Sequence, residues 1–212
     1  FVGAFLAEII GNIIPNQRMD RLVKYVKVLD EKLSKIPIEL LNNLLNNEEF
    51  VDLIEEGFVQ ASRALTDERR QYIASIISNG ILDDNIELAE SKYLLKMIQE
   101  LNDIEIVWLC YYGYGNEFDI RTEFYEKHKN VLKEIKVYLG DGKEIANKAA
   151  IQKSYIDHLA RLKLVVHKFR TDKSTGSPKN KSSREPEISG TNITTLGKLL
   201  LKQMDLIEEG KK

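Results

Sequence analysis

The chain has 212 residues, of which 43% are hydrophobic and 30% charged, so it can form one large domain or two small ones with a substantial core. Its net charge of -2 is the sum of an acidic N-terminal part and a basic C-terminal part. Residues 1–120 carry 11 Lys and Arg against 21 Asp and Glu, whereas residues 121–212 carry 20 against 12. A basic part of this kind favours an anionic partner: nucleic acid, a lipid surface, or the acidic half of another copy. The single cysteine, Cys110, excludes an internal disulfide and fits a reducing, cytoplasmic compartment.

The first 14 residues are largely apolar, contain a single charge at Glu8, and predict a helix that Pro15 ends. No basic segment precedes them, so we expect no signal peptide. They are fewer than the roughly 20 residues that span a bilayer. Membrane association would require apolar residues upstream of Phe1. A stripe of small side chains would let another helix approach closely, within a core or in an oligomer or membrane contact. Its members are Gly3, Ala7 and Gly11.

Asn16 is predicted to cap a second helix, which extends to about Lys35. Its apolar residues follow alternating steps of three and four, which is typical of a coiled-coil-like seam. The seam consists of Met19, Leu22, Val26, Leu29, Leu33 and Ile36. It either packs within its own domain or pairs with a partner, and the second alternative predicts that the seam is exposed in the monomer.

Three further helices are predicted from Pro37 to Leu45, from Glu48 to about Leu65, and from Asp67 to Asn79. Thr66 is expected to cap the third, and Gly80 to end it with a left-handed residue. The inward positions of the helix from Glu48 are predicted to be Phe50, Val51, Ile54, Phe58 and Ala61. The acidic residues at 48–56 suit a helix start and a solvated face, and because no His accompanies them we expect no metal site.

Asn102 and Glu105 approximate a capping box. The helix that they open is apolar nearly all round, so we expect it to be the central buried helix. A long helix should then extend from Glu117 to Leu139, before a turn at Gly140 to Gly142.

From residue 141 onward the order of predicted elements is that of a winged-helix domain: a helix, a strand, a basic loop, a strand and a last helix capped by Thr195. We therefore predict a mainly α fold with an acidic helical body over 1–140 and a basic winged-helix-like module over 141–212, which contains a short β-hairpin. The predicted elements of the module are a helix at 144–162, strands at 164–169 and 191–195, and a loop at 170–190.

The module carries the candidate binding residues. Residues 148–184 contain ten Lys or Arg against two acids. In winged-helix domains the helix before the wing often enters the major groove and the wing contacts phosphates. Such modules also bind proteins, so nucleic acid, a protein partner and a homo-oligomer all remain candidates. The predicted nucleic-acid-binding residues are Asn147, Lys148, Lys153, Ser154, His158, Arg161, Lys168, Arg170, Lys173, Lys179, Lys181 and Arg184.

Catalytic patterns are missing from the sequence. The three histidines, at positions 128, 158 and 167, have no partners at metal-ligand spacing. The chain contains no Walker-type loop, Gly-x-Ser-x-Gly motif or dinucleotide fingerprint. We therefore expect neither an enzyme nor a bound cofactor or metal.

Four short motifs resemble the abortive-infection alpha-type domain of bacteria. They are Leu65–Asn79, Leu94–Glu105, Ile156–Val165 and Ile193–Leu200, and the resemblance spans about residues 50–205. It implies an antiviral, phage-defence setting and assigns no catalytic residue. The sequence thus predicts a non-enzymatic defence-associated or regulatory protein whose basic module binds nucleic acid or a partner protein. The alternative is a membrane-associated or oligomerising effector that acts through the apolar N-terminal helix.

Overall fold

The computed structural model describes residues 9–83, 85–115, 118–138, 140–172 and 186–207, without the side chains of Ile9, Ile10 and Phe118. The fold is mainly helical with a C-terminal antiparallel hairpin, which confirms the predicted class. The chain divides into two compact units. The N-terminal unit contains the described residues up to Glu100 with Gln203–Asp205, and the C-terminal unit contains Leu101–Lys202 and the described residues from Leu206.

The described part of the N-terminal unit contains a π-helical turn and five α-helices. Its core is aliphatic, with Leu53, Ile73, Ile77 and Leu95 all nearly inaccessible to solvent. The elements are the π-turn Ile9–Ile13, α1 Ile14–Leu33, α2 Ile38–Leu44, α3 Glu48–Arg63, α4 Asp67–Leu82 and α5 Leu88–Glu100.

Pro15 begins a helix rather than ending one. It lies in the first turn of α1, where a missing backbone N–H costs no hydrogen bond. Ile13, which precedes α1, has helical dihedral angles and no side-chain cap, so the π-turn continues directly into α1. The predicted break at Pro15 and the predicted cap at Asn16 are therefore wrong. No helix in the described residues is both long and apolar enough to cross a membrane.

The predicted seam of α1 separates into two faces. Tyr25 and Leu29 are buried, and Tyr25 packs edge-on against Phe58 of α3 with ring centroids 5.4 Å apart. Burial raises the pKa of the Tyr25 hydroxyl above its ordinary value. Met19 and Val26, by contrast, are 60% and 46% exposed. The buried face of α1 therefore combines Leu29 of the predicted seam with Tyr25, which lies outside that seam.

Thr66 caps α4 as predicted, since its Oγ1 accepts a hydrogen bond of 3.2 Å from the backbone N–H of Arg69. Gly80 does not end the helix, because α4 continues to Leu82. A β-carbon on Gly80 would lie 2.1 Å from Ser91 Oγ, so this glycine allows α4 to pack closely against α5. On α3, Val51 is 51% exposed, so its predicted inward position is wrong.

The C-terminal unit is built around α6, which the capping box between Asn102 and Glu105 begins as predicted. Trp108 and Leu109 are buried, as expected for a central helix. Burial also raises the pKa of the Cys110 thiol to about 12, which makes it unreactive at neutral pH. The elements are α6 Asp103–Gly113, α7 Phe118–Lys127, α8 Lys129–Leu132, α9 Lys143–Arg161, β1 Val165–Phe169, β2 Ile188–Ile193 and α10 Thr195–Gln203.

The predicted long helix from Glu117 to Leu139 is wrong, because α7 stops at Lys127 and α8 at Leu132. The side chain of Gln152, on α9, satisfies the backbone that follows. It donates to the carbonyls of Val131 and Lys133, at 3.1 and 2.9 Å, and accepts from the N–H of Ile135 at 2.9 Å. A long-range cap of this kind leaves no local signal in the sequence.

The two strands pair antiparallel, with Val165 opposite Ile193 and an irregularity between Lys168 and Phe169. The second strand lies slightly earlier than the predicted 191–195. Thr194, not Thr195, caps α10: its Oγ1 accepts from the backbone N–H of Gly197 at 3.0 Å. The N–H of Thr194 donates to the carbonyl of Leu164, and this bond fixes Thr194 as the residue before α10.

Candidate functional site

The outer face of α9 carries polar and basic side chains that are spaced by seven residues. Asn147, Ser154 and Arg161 are all exposed, and seven residues make almost two helical turns, so they lie in one line. We call them the outer stripe. Leu159 on the opposite face is fully buried. The unit therefore presents this part of α9 to solvent, as the winged-helix prediction requires.

The cations along α9 differ in their partners. Lys148 forms an exposed ion pair of 2.7 Å with Glu144, one turn earlier, and this bond lowers the pKa of the Glu144 carboxyl. Pairs of this kind contribute little to stability and can exchange partners easily. Lys153 is exposed and engaged in an interaction of its own. Arg161 has no ion pair among the described residues, so its guanidinium is free for an anionic ligand.

The hairpin adds two exposed cations, Lys168 and Arg170, at the outer end of β1. Arg170 pairs with Glu187 twice: its backbone N–H donates to the Glu187 carbonyl at 2.7 Å, and its guanidinium meets the carboxylate at 2.9 Å. This contact closes the base of the segment that joins the strands.

His167 connects the hairpin to α9 within the C-terminal unit. Its Nδ1 lies 3.0 Å from Oγ1 of Thr191 on the paired strand, and its Nε2 lies 3.6 Å from Asp157 of α9. The hairpin and the outer stripe are thus held on one unit.

His158 does not belong to the outer stripe. It turns toward α6, and its Nδ1 lies 2.7 Å from Oε1 of the buried Glu105. A rotation of 100° per residue predicts that His158 lies on the side of α9 opposite the core. It lies at the edge of that side, and α6 covers this edge. Sequence analysis identified Glu105 only as a capping residue, because nothing local relates two positions 53 residues apart.

An open depression of about 570 Å³ lies where α9 passes the start of α6. It brings together three of the predicted residues, Ser154, His158 and Arg161, with the capping-box residues Asn102 and Glu105. Tyr155 and Asp157 complete its lining. Sequence reasoning missed the contribution of α6 to this depression.

Some predicted sites fall outside what the structure describes. These are Lys173, Lys179, Lys181 and Arg184 in the segment between the strands, and Gly3 and Ala7 near the N-terminus. Gly11 is exposed, and a β-carbon there would meet nothing within 4 Å, so no described helix packs on it.

The described residues contain no group of three or more His, Cys, Asp or Glu side chains that could hold a metal ion. A scan against protein-family models and searches of curated proteins and of solved structures found no significant match to this chain. The resemblance to the abortive-infection alpha-type domain therefore stays a prediction from its motifs.

Proposed function

We propose that the C-terminal unit binds the phosphate backbone of nucleic acid, with α9 lying against the duplex and the hairpin as the wing. The observation that carries this proposal is the outer stripe: an amide, a hydroxyl and a guanidinium that has no ion pair among the described residues, in one line on the exposed face of α9. Amide and hydroxyl groups bind base edges and phosphates, and arginine binds phosphates and guanine. The exposed Lys168 and Arg170 extend the surface onto the hairpin.

In this proposal the protein is a non-enzymatic factor in bacterial phage defence or regulation. The resemblance of its motifs to the abortive-infection alpha-type domain supports that setting. Phosphate groups can also replace the carboxylates that now pair with Lys148 and Arg170, because both pairs are exposed.

Replacing Arg161 with glutamine tests the role of the outer stripe. We expect R161Q to weaken binding to duplex DNA of any sequence and to reduce the slope of log affinity against log salt by about 1. Fluorescence anisotropy across a salt series measures both quantities. The matched control is Lys96→Gln, which removes one charge from an exposed position on α5 and should leave the slope unchanged. The proposal is overturned if the full chain is not retained on DNA at low salt.

A second candidate function, self-association, has its own observation. Met19, Val23 and Val26 are 60%, 50% and 46% exposed and lie along one line of α1. Asp20 and Lys27 are exposed along the same edge of that line, and neither has an ion pair among the described residues. In an antiparallel pair of α1 helices, Asp20 of each copy would face Lys27 of the other. The charges on the two edges of this surface are therefore complementary in an antiparallel pair of copies.

We expect Val23→Asp to convert a dimer into a monomer, because two carboxylates would meet at the centre of the paired helices. Light scattering coupled to gel filtration, at about 10 to 100 μM protein, measures the mass. Val51→Asp, at a similarly exposed valine of α3, is the control and should keep the dimer. Asp20→Lys should weaken the dimer, and adding Lys27→Asp should restore it. A wild-type chain that stays monomeric throughout this range contradicts the proposal.

A further inference from the structure

Glu105 is a buried carboxylate whose two oxygens are both engaged. Only 3% of the residue is exposed. Oε2 accepts a hydrogen bond of 2.8 Å from the backbone N–H of Asn102, which completes the capping box. Oε1 lies 2.7 Å from Nδ1 of His158. The carboxylate position is therefore fixed by the start of α6, and in turn it fixes the imidazole of α9.

The tautomer of His158 follows from this contact. If Glu105 is ionised, its oxygens only accept hydrogen bonds, and Nδ1 of the imidazole carries the proton that it donates to Glu105. Nε2 then carries a lone pair when the ring is neutral and an N–H when it is cationic. The His158 side chain is 18% exposed and lines the depression, and its Nε2 has no partner among the described residues.

The charges around His158 determine which ligand the depression can accept. Glu105 faces it from α6, Arg161 and Asp157 from α9, and Tyr155 contributes a neutral hydroxyl. With a neutral imidazole the net charge of the lining is negative, because two carboxylates stand against a single guanidinium. With a cationic imidazole the two cations balance the two carboxylates. Protonation of His158 therefore removes the net negative charge that would repel an anion.

We propose that this depression is a proton-linked phosphate site, in which the cationic imidazole of His158 and the guanidinium of Arg161 together bind one phosphate group. Both side chains are charged donors, and phosphate oxygens are strong acceptors. Glu105 is a positioning residue that orients the ring. The phosphate belongs either to a nucleic-acid backbone, in which case the inference rests on the proposed function, or to a free phosphate compound.

Titration calorimetry of the full chain tests the site with two probes, a DNA duplex of about 16 base pairs and inorganic sulfate, a tetrahedral oxyanion that stays fully ionised at both pH values used. Each probe is used at about pH 6 and pH 8, in buffers of different ionisation enthalpy. We expect several-fold tighter binding at the lower pH and uptake of a fraction of a proton per molecule of chain that binds the probe. His158→Gln should abolish the proton uptake while the salt dependence of DNA binding persists. The control His128→Gln alters a histidine outside the depression and should change neither.

The outcomes separate the two proposals. DNA binding without proton uptake overturns the phosphate site and leaves the proposed function standing. Proton-linked binding of inorganic sulfate by a chain that does not bind DNA supports the site and overturns the proposed function. Uptake that persists in H158Q and disappears in His167→Gln assigns the proton to the other histidine and overturns the site. If H158Q does not fold, wild-type binding with no buffer-dependent enthalpy overturns it equally.

Discussion

Replacing Gly197 with alanine should destabilise the C-terminal unit by about 3 kcal/mol, although alanine is the better helix former by about 1 kcal/mol. The residue lies in the first turn of α10, where a β-carbon would approach the backbone oxygen of Leu164 to 2.3 Å and Ile193 Cγ1 to 2.8 Å. That oxygen cannot move aside, because it accepts a hydrogen bond of 3.0 Å from the N–H of Thr194. The clash therefore separates α10 from the hairpin or breaks the cap.

Urea unfolding followed by circular dichroism measures the change, and two other glycines serve as comparisons. A β-carbon at Gly190 of β2 would meet nothing within 4 Å, so G190A should change the free energy of unfolding by less than about 0.5 kcal/mol. At Gly113 the nearest atom is Leu201 Cδ1, at 2.5 Å, the movable end of a side chain, so G113A should cost less than G197A. If G197A and G190A unfold at the same urea concentration, α10 does not pack on the hairpin as described.

The caps that the sequence predicted correctly have both partners within four residues of each other. Thr66 binds Arg69, and Asn102 exchanges hydrogen bonds with Glu105. Such contacts depend only on residues that are close in sequence, so they can be predicted before the fold is known. Gly80 shows the limit of the same logic. A glycine after a helical pattern can end the helix or admit a neighbour, and only Ser91, on the next helix, decides between the two.

The candidate site was predictable in its composition but not in its geometry. Charge and element order pointed to α9 and the hairpin, and helical spacing identified the outer stripe. The ends of α8 and the orientation of His158, however, depend on side chains far away in sequence, Gln152 and Glu105. Periodicity describes one helix at a time, so it cannot show which neighbour covers the edge of a polar face. The neighbour is α6, which covers His158 and so separates it from the outer stripe.

Replacing Lys173, Lys179, Lys181 and Arg184 together with glutamine should cause the largest loss of nucleic-acid binding. Each phosphate that a cation neutralises contributes about 0.9 to the slope of log affinity against log salt, so four contacts contribute about 3.6. Between about 50 and 200 mM salt, that difference amounts to roughly a hundredfold in affinity. Fluorescence anisotropy on a duplex across this salt range measures the slope.

The control replaces four exposed cations of the N-terminal unit, Lys24, Lys35, Arg63 and Lys96, with glutamine. Both variants lose four positive charges. Equal slopes of log affinity against log salt would therefore mean that DNA binding depends only on the net charge of the chain. Comparison with R161Q then separates two modes of binding. If both the wing variant and R161Q lower the slope, the hairpin and α9 contact the same duplex. If only the wing variant does, the segment between the strands binds phosphates by itself, and α9 is free for a protein partner.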